Sequence, residues 1–97
     1  MIIVRDVYQV KFGKVDALLD IFSDARRGWA QNYNYRVLTD ASGPFYTVVA
    51  ELEVASLGEW EQRLSALYAN AEFGQWFTRI EPLIESGRRE FYNVEKI

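Results

Sequence analysis

Asp6 and Tyr8 stand two residues apart in the run Ile2-Ile3-Val4-Arg5-Asp6-Val7-Tyr8-Gln9-Val10-Lys11, flanked on either side by Val4 and Val10. Side chains of a strand alternate between its faces, so these four share one face and the two polar groups interrupt an otherwise apolar surface. A carboxylate accepts hydrogen bonds or a proton, and a phenol donates while staying neutral at ordinary pH. Buried polar groups need partners or a purpose. In an apolar setting this pair suits the polar end of a ligand site. It also suits a proton abstraction with Asp6 as base and Tyr8 as donor. The aromatic and apolar residues that helical and strand spacing brings over this face are Phe22, Trp29, Tyr46, Val48, Trp60, Trp76 and Phe77. They complete the predicted site as a cavity wall suited to a flat apolar ligand. The competing reading is plain core: aromatic stripes at helical spacing usually pack, and Asp6 would then pair with Arg26 or Arg36.

Other chemistries are excluded by what the chain lacks. There is no histidine and no cysteine, so thiol chemistry, disulfides and the favoured ligands of zinc are absent. No glycine-rich phosphate loop and no Ser-His-Asp set occurs. Glu51 and Glu53 lie two apart on one strand face beside Arg5, which reads as an interface salt-bridge network rather than a cation site. The expectation is that no metal, haem or flavin is bound. Eleven basic and fourteen acidic residues give a net charge of −3 and are interspersed, which argues against a nucleic-acid partner. The pairs Arg26-Arg27 and Arg88-Arg89 read as solvated surface near Asp24 and Glu90. Arg5 and Asp6 interrupt the apolar N-terminus at once, and no apolar run approaches the roughly 20 residues of a membrane span. A soluble, cytoplasmic protein is expected.

The elements that would position the site follow from periodicity. Ile2 to Lys11 is a β-branched, alternating strand, and Gly13 breaks it. Val15, Leu18, Leu19, Phe22 and Trp29 then recur at helical spacing, predicting a helix over 14–31. Asn32-Tyr33-Asn34 is a turn, Tyr35 to Thr39 a short strand, and Ser42-Gly43-Pro44 a hairpin turn. Phe45 to Val54 alternates most cleanly, with Tyr46, Val48, Ala50, Leu52 and Val54 on one side. Ser56 with Glu59 three residues on forms a capping-box spacing ahead of Trp60, Leu64 and Leu67. A break near Asn70 to Glu72 resets the phase for Phe73, Trp76, Phe77 and Ile80. Pro82 ends the helical region, and Gly87 opens a last strand, Arg88 to Glu95.

Ninety-seven residues make one domain, residues 1–97, built from two strand-helix-strand units. That order predicts an α+β, ferredoxin-like β-α-β-β-α-β sandwich: a four-stranded antiparallel sheet of order 4-1-3-2 with the helices on one face. The opposite face carries Ile3, Val7, Phe45 and Val49 among Arg5, Gln9, Thr47 and Glu51. It is too apolar for free exposure, so a homodimer joined through the sheet faces is expected.

With that order in hand, the chain resembles the dimeric α+β barrel superfamily, particularly its antibiotic-biosynthesis-monooxygenase-like and NIPSNAP-like branches. The resemblance rests on Tyr8-Gln9-Val10-Lys11-Phe12-Gly13-Lys14, on Phe73-Gly74-Gln75-Trp76, and on Glu81-Pro82-Leu83-Ile84-Glu85-Ser86-Gly87-Arg88-Arg89-Glu90. It implies an α+β barrel dimer and speaks for fold more than for function. Phe12 stands where many relatives have proline. Some relatives carry histidine in the second helical region, where this chain has residues such as Leu67 and Glu72, so a haem-binding member using an imidazole ligand is a poor match. Two functions are compatible: a small homodimeric domain binding an apolar or aromatic ligand between sheet and helices, or a cofactor-independent monooxygenase or isomerase acting on an aromatic or polyketide-like compound.

Overall fold

The first strand buries every third residue, Val4, Val7 and Val10, where strict alternation would bury every second. The cause lies in what covers it. In the computed structural model, which describes residues 1–97, β1 (Ile2–Val10) runs through the middle of a four-stranded antiparallel sheet, and Val4 and Val10 face the helices while Val7 lies at the centre of the other face. Asp6 and Tyr8, on the helix side between the two valines, are only half-buried because a cavity lies over them.

The remaining elements are α1 (Val15–Arg27), β2 (Tyr35–Thr39), β3 (Thr47–Val54), α2 (Leu57–Tyr68), α3 (Ala71–Ile80), a short 3₁₀ turn at Glu81–Leu83, and β4 (Ile84–Asn93). The strand order is β2-β3-β1-β4, the predicted 4-1-3-2 read from the opposite edge, and all pairs are antiparallel. The fold is the expected α+β, ferredoxin-like one. No helix is long and apolar enough to cross a membrane.

Local chemistry explains the boundaries. Ser56 caps α2 by accepting the Glu59 amide at 3.1 Å, and the Glu59 carboxylate accepts the Ala55 amide, one residue earlier than in the usual capping box. α2 ends at Tyr68 with Ala69 as its C-cap, and Asn70 caps α3, its side chain accepting the Glu72 amide at 2.9 Å, so the break falls where the phase resets.

Several expected boundaries move. The helix predicted over 14–31 stops at Arg27, because the Ala30 amide turns back onto the Ala25 carbonyl at 2.8 Å and the chain continues in turns to Asn32. The strand predicted from Phe45 begins at Thr47: the hairpin closes where the Asp40 side chain accepts the Thr47 amide at 2.9 Å. Phe45 therefore does not belong to the open sheet face; it sits in the turn, largely exposed. The last strand runs from Ile84 to Asn93, starting and ending earlier than the predicted Arg88 to Glu95, and Gly87 lies within it, opposite Tyr8. A bulge between Gln9 and Val10 absorbs one extra residue of β4 and lets pairing resume at Ile84.

The apolar side chains over the sheet form two clusters rather than one. Val10, Leu18, Ile21, Phe22, Val48 and Ile80 pack at one end, and Val4, Val54 and Trp60 at the other. Each side chain so buried contributes roughly 1.5–3 kcal/mol. Residues of both clusters wall the space between them.

Candidate ligand-binding site

Between the two clusters lies a cavity of about 440 Å³, within the size range that takes one small organic molecule. Seventeen of its twenty lining residues are hydrophobic, and Asp6 and Arg89 are the two charged ones. The sheet floor is built by register: Asp6 lies directly opposite Arg89 on β4 and Ala50 on β3, and Tyr8 opposite Gly87. A Cβ at Gly87 would lie 3.4 Å from the Val7 carbonyl oxygen and 3.5 Å from the Tyr8 ring, in ordinary van der Waals contact with both.

The helices supply an aromatic wall. Trp76 stacks on Phe73 with centroids 5.6 Å apart, meets Phe22 edge-on at 5.5 Å, and lies 6.1 Å from Trp29. Trp29 in turn meets Phe73 at 5.8 Å. Such tilted contacts hold rings in defined positions, which makes a shaped wall. The Trp76 indole nitrogen is buried and has no hydrogen-bond partner.

At the opposite end stands the polar group. Arg89 grips Asp6 with two parallel hydrogen bonds, Nε donating to Oδ1 at 2.6 Å and Nη2 to Oδ2 at 3.1 Å. The Trp60 ring covers the guanidinium at 4.8 Å. Hydrogen bonding to Asp6 raises the Arg89 pKa above its ordinary value, so the guanidinium stays charged. Burial, reinforced by the Asp6 charge, pushes the Tyr8 phenol far above its ordinary value of 10.0. Tyr8 is therefore a neutral hydroxyl at any physiological pH, able to donate. Burial raises Tyr35 as well, against the opposing Arg26 charge.

Seven of the nine predicted site residues meet around this one space: Asp6, Tyr8, Phe22, Trp29, Trp60, Trp76 and Phe77. Tyr46 and Val48 do not. Tyr46 precedes the strand in a left-handed backbone conformation, φ 61°, and turns its ring onto Phe12 at 4.7 Å. Val48 is fully buried in the first cluster beneath the helices. Asp6 pairs with neither Arg26 nor Arg36: Arg26 donates to the Tyr35 carbonyl at 2.5 Å, and Arg36 binds Glu51 on the opposite face.

Arg89 is the charged cavity residue that sequence reasoning missed by grouping it with Arg88 as solvated surface. Arg88 does pair with Glu90, at 2.9 Å. The signal for Arg89 was alternation: with Phe91 it shares the strand face opposite that of Arg88, Glu90 and Tyr92. Glu51 and Glu53 build no cation site, since Glu51 is taken by Arg5 and Arg36, and nowhere do three or more acidic side chains converge as metal ligands.

The fold is that of known structures. A NIPSNAP family protein from Agrobacterium tumefaciens superposes with a TM-score of 0.86 at 20% identity, over 95% of this chain and 90% of that one. An uncharacterized NIPSNAP domain protein from Burkholderia xenovorans gives 0.87 at 23%, over 98% and 95%. An antibiotic biosynthesis monooxygenase gives 0.73 at 15%, over 99% and 100%. At these identities the likeness establishes the ferredoxin-like α+β fold. No protein-family model and no curated protein sequence matches the chain.

Proposed function

We propose that this chain is a small-molecule-binding domain whose cavity holds a flat, largely apolar ligand between sheet and helices, with the Tyr8 hydroxyl as its polar anchor. The observation that carries this reading is the cavity itself, about 440 Å³ with aromatic walls, in a domain small enough that a filled core would be the cheaper arrangement. Flat aromatic compounds bearing a hydroxyl or carbonyl are expected to raise the melting temperature by about 5–10 °C at saturation, since a ligand bound only by the native state stabilises it by mass action. Tyr8→Phe keeps the ring and removes the hydroxyl, so it should reduce that shift with the fold intact by circular dichroism. A broad aromatic library that produces no shift would sink the proposal.

A second reading, cofactor-independent oxygenation or isomerisation of an aromatic or polyketide-like substrate, draws support from the likeness to the monooxygenase structure. Asp6 would be its base and Tyr8 its donor. Both Asp6 oxygens are engaged by Arg89, which places simple binding ahead of it. Turnover in air without added cofactor, lost in Asp6→Asn, would reverse that order.

The unit is a homodimer in this reading, joined through the open sheet face. Val7 and Val49 are cross-strand partners at its centre, ringed by Arg5, Arg36, Arg88, Glu51 and Glu90. An apolar middle with charges of both signs around it suits a self-complementary contact.

A further inference from the structure

We infer that the Asp6–Arg89 pair sets the charge specificity of the cavity, so that it admits uncharged aromatic ligands and turns away ionised ones. The inference rests on the binding reading above and names the class of ligand. Three features of the wall converge. Asp6 and Arg89 are the only charged residues of the wall. They neutralise each other through a bidentate contact that occupies both carboxylate oxygens. The Trp60 ring then covers the guanidinium face.

An ion entering such a space gives up part of its hydration and meets no uncompensated counter-charge. An anion would have to displace Asp6 from Arg89 and leave that carboxylate unpaired in the wall. A cation would have to do the reverse to Arg89. An uncharged molecule disturbs neither, and finds an uncharged hydrogen-bonding group in the Tyr8 hydroxyl.

The arrangement also says how specificity would change. Removing the charge of Asp6 frees Arg89 beside an aromatic cavity, which is the makings of a carboxylate receptor. Removing the charge of Arg89 does the mirror image for an ammonium group.

Three probes with one ring system decide the matter by titration calorimetry at neutral pH: naphthalenemethanol, naphthoate and naphthylmethylammonium. Wild-type protein should bind the alcohol about tenfold more tightly than either ion, and Asp6→Asn should reverse the order of alcohol and naphthoate. Arg89→Gln should promote the ammonium instead, and it serves if Asp6→Asn fails to fold. The wild-type ranking needs no variant. A pair that merely tied β1 to β4 would alter stability in these variants and leave the ranking unmoved, which would overturn the inference. Binding of either ion to wild type within about threefold of the alcohol would overturn it too, with cavity occupancy still standing. Failure of all three probes to bind would remove occupancy itself, and the charge rule with it.

Discussion

Arg5 and Asp6 are neighbours in sequence and belong to different worlds, because the sheet between them has one covered face and one open face. On the covered side Asp6 meets a single arginine, and the pair is neutral, doubly hydrogen-bonded and capped by Trp60. On the open side Glu51 meets two, Arg5 at 3.3 Å and Arg36 through a bond of 2.5 Å from Nε, and it is only 9% exposed. One acid there is outnumbered by bases, with Arg88 and Glu90 completing a salt-linked surface. The same residue types thus build a charge-balanced, partly exposed wall beside an apolar cavity. Where nothing covers them, they build a flat polar frame around Val7 and Val49. What a strand residue does depends on which layer its face meets, and that is settled by a shift of one position.

The comparison can be broken first at the centre of the open face. Val49 is 7% exposed in a single chain, so Val49→Asp exchanges an almost wholly buried apolar side chain for a carboxylate and should cost about 3 kcal/mol, read by urea unfolding. If the open face is an interface, light scattering should show a dimer for wild type and a monomer for the variant at micromolar concentration. A monomeric wild type with the fold intact would show that this face stands free.

A smaller effect separates the two acids. Glu51→Gln leaves two arginines facing an amide and should lose about 2 kcal/mol, less than a fully buried pair because Arg36 is mostly solvent-exposed. Asp6→Asn leaves one arginine, itself partly exposed, and should lose about 1 kcal/mol. Paired urea titrations test this directly. A larger loss at Asp6 than at Glu51 would invert the ranking of the two faces.

Legibility in sequence divides along the same line. Strand alternation, the Ser56 and Asn70 caps and the order of elements are local signals, and they gave the topology, the sheet order and the break between α2 and α3. Asp6 and Tyr8 were legible as a polar pair on an apolar face. Their partner was not, because Arg89 is 83 residues away from Asp6 and its neighbour Arg88 has an acid close in sequence. Alternation extended through the hairpin also misplaced Tyr46, since a residue in left-handed backbone does not continue a pleat. That the covered face holds an open space rather than packed rings depends on how α1, α2 and α3 fit together. Periodicity names the face of a helix and leaves its depth and spacing unspecified.

The smallest effect tests whether Tyr8 really lies in a dry, charge-balanced wall. Its folded-state pKa is raised, chiefly by burial and next by Asp6, above the unfolded value near 10. Below that pH both states keep the proton and stability does not depend on it. Above it the unfolded chain gives up the proton while the folded chain retains it, so the unfolded state binds fewer protons and stability falls as pH rises. The expected slope from this one group is about 1 kcal/mol per pH unit between pH 10 and 11.5. Tyr35 is shifted in the same direction, so the wild-type curve carries both groups and the difference from Tyr8→Phe isolates the first. Tyr8→Phe should therefore be the flatter of the two in thermal unfolding across that range. Asp6→Asn should take away part of the slope by removing the second cause of the shift. Parallel curves for wild type and Tyr8→Phe would mean that water reaches the phenol freely. The covered face would then be as wet as the open one, and the contrast between them would fail at its most sensitive residue.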